Sequence, residues 1–85
     1  MPTPSPELIA EAILRLTAAA GPTASINPSD VAKELSPEAW RSLLSSVRRE
    51  AAKLATAGDI EILRKGKPVP PEALHGVVRF RQVAR

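Results

Sequence analysis

Two spacings of apolar residues alternate along the chain. Leu8, Ile9, Ala12, Ile13 and Leu16 recur at intervals of three and four, which is one face of a helix. They follow Ser5-Pro6-Glu7, where a serine cap, a proline at the first helical position and a carboxylate in the first turn make a start signal. Gly21-Pro22 ends this helix. Asn27-Pro28-Ser29-Asp30 repeats the signal, with Asn27 as cap and Asp30 at the capping-box position, and opens a brief second helix that buries Val31 and Leu35. Ser36-Pro37-Glu38 reads as the stop of that helix and the cap of a third, because proline restricts the residue before it to extended conformations. The third helix is expected from about residue 37 to 57. At ~100° per residue from Trp40, the positions Leu43, Leu44, Val47, Ala51, Leu54 and Ala55 fall within an arc of roughly 120°, a stripe for the core. Arg41, Ser42, Ser45, Ser46, Arg48, Arg49, Ala52, Lys53 and Thr56 take the opposite side, with Glu50 near the edge. Gly58 supplies the stop.

Beyond Gly58 the spacing becomes two. Ile60 and Ile62 alternate with Asp59 and Glu61, and Val78 and Phe80 with Val77, Arg79 and Arg81, so both runs predict half-buried strands, paired antiparallel. The segment between them, 64–76, holds Gly66, three prolines and a helical turn at Pro71-Glu72-Ala73-Leu74-His75, and is too long for a tight hairpin. Thr23 to Ile26 is a short link that could add a minor strand. The order is helix, extended link, helix, long helix, strand, basic loop, strand. It predicts an α+β fold, a small winged helix in which three helices carry a C-terminal β-hairpin wing. The expected core is Ile9, Ile13, Leu16, Ile26, Val31, Leu35, Trp40, Leu43, Leu44, Val47, Leu54, Ile60, Ile62, Val78 and Phe80. Residues 1–4 are expected to form a flexible tail on one domain spanning 5–85.

Composition narrows the function. At 85 residues there is room for one small core, and the absence of cysteine removes disulfides, thiolate metal sites and cysteine nucleophiles. No stretch has the length or apolarity of a membrane span or an export signal, which predicts a cytoplasmic protein with no membrane partner. The net charge of +3 is unevenly spread: residues 1–40 carry two basic and five acidic side chains, residues 41–85 ten basic and four acidic. The second half suits a polyanion, although the same bias arises on a basic face kept for solubility.

The basic residues fall where a winged helix meets DNA, with the last helix in the major groove and the wing on the phosphates. The predicted double-stranded DNA contacts are Arg41, Ser42, Ser45, Arg48, Arg49 and Lys53 on the helix and Arg64, Lys65, Lys67, Arg79 and Arg81 on the wing. Five phosphate contacts would give log K against log salt a slope of about −4 to −5. The alternative is a docking or dimerisation module whose basic face meets an acidic protein. Any amphipathic surface helix also opposes arginine and lysine to its apolar stripe. Trp40 and Phe80 are expected in the core, leaving no aromatic platform for single strands. Catalysis is not expected. His75 is the one histidine, no serine sits in a nucleophile elbow, and Lys65-Gly66-Lys67 lacks the spacing of a phosphate-binding loop. No cofactor or metal site is implied, and His75 reads as a loop residue.

Ala39-Trp40-Arg41, Val47-Arg48, Leu54-Ala55 with Gly58, Ile60 and Glu61, then Lys65-Gly66-Lys67-Pro68-Val69, His75-Gly76 and Val78-Arg79 together resemble a family of short bacterial proteins catalogued as a domain of unknown function. The resemblance covers nearly all of the chain after the proline tail. It implies a winged-helix-like fold in a bacterial cytoplasm, and it assigns no activity, partner or site residue.

Overall fold

In the computed structural model, which describes residues 4–73 and 76–83, Ser5 caps the first helix α1 (Pro6–Ala20), its Oγ accepting from the Leu8 N–H. Met1 to Thr3, most of the expected tail, lie outside the described residues, as do Leu74 and His75 at the end of the expected helical turn. α1 buries Ile9, Ala12 and Ile13 and stops at Gly21, whose φ of +83° suits a residue without a β-carbon. Thr17 is also buried on this face, and its hydroxyl donates to the Ile13 carbonyl at 2.8 Å, so it enters the core already satisfied. Leu8, expected on the apolar face, is instead 51% exposed at the helix start.

The second helix α2 (Pro28–Leu35) begins where Asn27 and Pro28 predict, and the Asp30 carboxylate accepts from the Asn27 N–H at 2.9 Å. The third, α3 (Trp40–Thr56), starts later than expected. Ser36 closes α2, its N–H donating to the Ala32 carbonyl, and residues 37–39 form a turn. The cap of α3 is therefore Ala39, which has no side-chain acceptor to offer the helix. The far end follows the glycine rule closely. Gly58 lies at φ +86°, its N–H donates to Ala55 and that of Asp59 to Leu54, the two bonds of a Schellman stop. Glu50, placed near the edge by periodicity, is buried to 5% exposure.

Three antiparallel strands follow, β1 (Ile60–Arg64), β2 (Lys67–Val69) and β3 (Arg79–Gln82), in the spatial order β2-β1-β3. The segment thought too long for a tight hairpin contains one. Lys65 and Gly66 form a two-residue turn with φ of +53° and +80°, the pair of positive values that a type I′ hairpin requires. Arg64 and Lys67 close this turn, and the next pair is Leu63 with Pro68. Antiparallel pairs alternate between bonded and non-bonded, so the Pro68 nitrogen faces away from β1 and its missing donor breaks no rung. A single 3-10 turn at Pro71–Ala73 leads back toward β3. The short link after α1 contributes Ile26, which exchanges two 2.8 Å backbone hydrogen bonds with Phe80 on the outer side of β3.

Register decides which side chains meet the helices. Ile62 stands opposite both Phe80 and Val69, and these three share the inner face, while Leu63, Arg79, Glu61 and Arg81 share the outer one. The core joins Ile9, Ile13, Val31, Leu43, Val47, Ile60, Ile62, Val78 and Phe80, with Ala12, Ala32 and Ala51 buried among them. Leu16, Leu35, Trp40, Leu44 and Leu54 pack at its margin and are half-buried rather than central. Three helices followed by a small antiparallel sheet make an α+β fold compatible with a winged helix, its wing a three-stranded element rather than a two-stranded hairpin.

Candidate nucleic-acid interface

α3 presents its cations in two groups, because positions seven apart share a side and positions one or two apart do not. Arg41 and Arg48 are seven apart, with the exposed Ser45 between them. The Arg41 guanidinium lies over the Trp40 ring, 4.7 Å from its centroid, and Lys33 of α2 lies 4.7 Å from the same centroid. This is a different setting for Trp40 from a buried anchor: the ring is half-buried and presents faces to two cations. Arg49 and Lys53 belong to the other group. They reach the buried Glu50 carboxylate at 3.7 Å and 3.2 Å, so part of their charge is already matched within the helix. The Ser42 hydroxyl donates to the Ala39 carbonyl at 2.7 Å, which ties it to the helix start.

Arg48 is the half-buried member. It shares a cavity of about 180 Å³ with Asn27, Pro28, Ser29 and Leu44 of the helical layer and with Val77 and Val78 before β3. Its Nε is buried with no hydrogen-bond partner among the described residues, an arrangement that costs free energy unless an acceptor arrives.

The wing cations differ as much from one another. Arg79 is fixed by three donations, from Nε to the Ser25 hydroxyl at 2.6 Å, from Nη1 to the Asn27 amide oxygen at 2.8 Å and from Nη2 to the Ser25 carbonyl at 2.8 Å. Arg64 donates to the Ala73 carbonyl and so clips the strand to the turn after β2. Arg81 pairs with Glu61 across the outer face at 3.0 Å. Lys65 and Lys67 flank Gly66 at the hairpin end and are exposed.

These placements bring one part of the predicted set together. Asn27 lines the cavity that Arg48 also lines, and its amide oxygen accepts from Arg79, so one residue neighbours both arginines. Val77, 86% exposed, lies between that cavity and a second one of about 650 Å³ that Arg64, Lys65 and Arg79 border. The face thus runs from Arg48 over Val77 to Arg79 and Lys65. Arg49 and Lys53 sit around Glu50 instead, and Arg81 is engaged with Glu61. Asn27 and Val77 were not foreseen in the site, since neither an asparagine cap nor a lone valine carries a binding signal in sequence.

Among the described residues no helix is long and apolar enough to cross a membrane. A family model described as a protein of unknown function (DUF3253) matches residues 6–83. No curated protein matches the chain.

Proposed function

We propose, for a chain that belongs to the DUF3253 family, that it binds double-stranded DNA through α3 and the wing. The observation that supports this reading is that Asn27 and Val77 line a cavity with Arg48 of α3 while Asn27 accepts from Arg79 of β3. In this reading α3 enters the major groove with Ser45 toward the base edges and Arg41 and Arg48 on the flanking phosphates, and Lys65 and Lys67 of the wing meet further phosphates, in the cytoplasm of a bacterium. Arg79 orders Asn27 and Ser25 beneath the face, and Arg49, Lys53 and Arg81 contribute less because carboxylates already hold them.

Four of the predicted contacts, Arg41, Arg48, Lys65 and Lys67, have no acidic partner among the described residues. Four phosphate contacts give a slope of log K against log salt of about −3 to −4, shallower than the sequence alone suggests. Fluorescence anisotropy of a labelled random duplex at several salt concentrations measures it. Replacing Arg41 and Arg48 together by alanine is expected to weaken binding about tenfold or more and to flatten the slope by about two, whereas Lys53→Ala has a small effect. No binding at low salt, or a double variant indistinguishable from wild type, overturns the reading and leaves docking to an acidic protein as the role to test.

A further inference from the structure

The larger cavity is bordered by Leu63 and Arg79, which share the outer face of the sheet. Leu63 forms part of its wall and is only 5% exposed, although it lies outside the main core. Val77 adds a second apolar surface, and Gly66 and Gly76 leave the walls free of further side chains. At about 650 Å³ the space lies within the range of small-molecule sites, which are mostly apolar with a few placed polar groups.

Its polar groups are all of one sign. Arg64, Lys65 and Arg79 border it, and no carboxylate is among the lining residues described. Arg79 has used three of its five N–H donors on Ser25 and Asn27, which leaves two. Lys65 is exposed, with no acidic partner among the described residues. A group that only accepts hydrogen bonds and carries negative charge satisfies both, while a cation is repelled and a neutral molecule leaves the ammonium uncompensated.

We propose that this cavity binds a small amphipathic anion: an aromatic or short-chain apolar body bearing one carboxylate or sulfonate. The acid meets Lys65 and the spare donors of Arg79, and the body covers the exposed Val77 beside Leu63. Because Lys65, Arg79 and Val77 also belong to the basic face, the occupant competes with a duplex; this second part rests on the DNA reading above.

Anilinonaphthalene sulfonate, an aromatic body with one sulfonate, serves as the fluorescent probe on the full chain without DNA, with decanoate and decanol as competitors. Saturable one-to-one binding is expected, displaced by decanoate much better than by decanol. Val77→Glu, at an exposed position, and Lys65→Asn should each weaken the probe at least fivefold, and Arg15→Ala, a charge loss elsewhere, should not. Lys65→Asn keeps the turn geometry, so a loss there with an undiminished melting midpoint is a loss of the site and not of the fold. Equal binding in Lys65→Asn and wild type, or equal displacement by decanol, overturns the proposal. A separate arm adds decanoate to the labelled duplex complex, where duplex affinity should fall at least threefold. Decanoate that binds without affecting the duplex overturns the competition alone. A chain that binds decanoate but no duplex keeps the cavity and loses the DNA reading.

Discussion

Lys65 holds the left-handed backbone region at φ +53°, where a β-carbon crowds the following carbonyl and costs roughly 1–2 kcal/mol. Asparagine tolerates that region, and Asn-Gly is the favoured pair for a type I′ turn. Lys65→Asn is therefore expected to raise stability by about 0.5–1 kcal/mol and the melting midpoint by about 3–6 °C, and Lys65→Val to lower both. A thermal melt of the two variants checks the pair, and identical midpoints would show that the turn does not hold lysine in the left-handed region. The same residue explains why the hairpin was hidden in the sequence. Lysine has no preference for positive φ, so Lys-Gly reads as a basic loop until the backbone is seen. The arginines differ in the same way. Their charge was legible, but whether each one's N–H groups are free depends on distant acceptors, Ser25 for Arg79 and Ala73 for Arg64, which no local spacing reveals.

At the scale of elements, the caps and stops separate what sequence could show from what it could not. Gly21, Asn27 and Gly58 mark real boundaries because each answers a local backbone need that neighbouring residues cannot change. Ser36-Pro37 misled because the same pair can end one helix or begin the next, and here the three-residue turn moves the start to Trp40. That leaves Ala39 as a cap without an acceptor, so Ala39→Asp should stabilise the chain by about 1 kcal/mol, read from urea unfolding. α1 and α2 are joined by an ion pair between Arg15 and Glu34, with a second contact at 2.9 Å from Nη1 to Oε1. The hydrogen bond from Arg15, and then its charge, hold the Glu34 carboxyl below its ordinary value of 4.5. A lowered folded-state value stabilises above the unfolded value and is lost as pH falls through the folded one. The difference in midpoint between wild type and Glu34→Gln should accordingly be present, and small for so exposed a pair, above about pH 4.5, and close as the solution is acidified below it. A difference that persists unchanged at pH 2 would assign it to packing instead.

For the molecule as a whole, Phe80 is the residue on which the layers converge. It is fully buried, stands opposite Ile62 in the sheet and exchanges both backbone bonds with Ile26. Phe80→Ala is expected to cost about 3–5 kcal/mol, much of the roughly 4–13 kcal/mol available to a chain this size. Its urea transition should move to much lower denaturant or vanish, while Phe80→Leu keeps a cooperative one. The core was largely readable because periods of 3.6 and 2 report burial directly. The neighbourhood of Arg48 and Arg79 was not, since it runs through Asn27 and Val77, which line the cavity beside Arg48. The direction of the Pro68 nitrogen has a further consequence. β3 is covered at one margin by Ile26, so β2 is the sheet's open border, and the middle residue of that border has no donor to offer an incoming strand. With Lys67 beside it adding charge, the border is poorly suited to templating a neighbouring copy. In a chain with so small a core, this blunted border disfavours growth of a fibre along its own sheet.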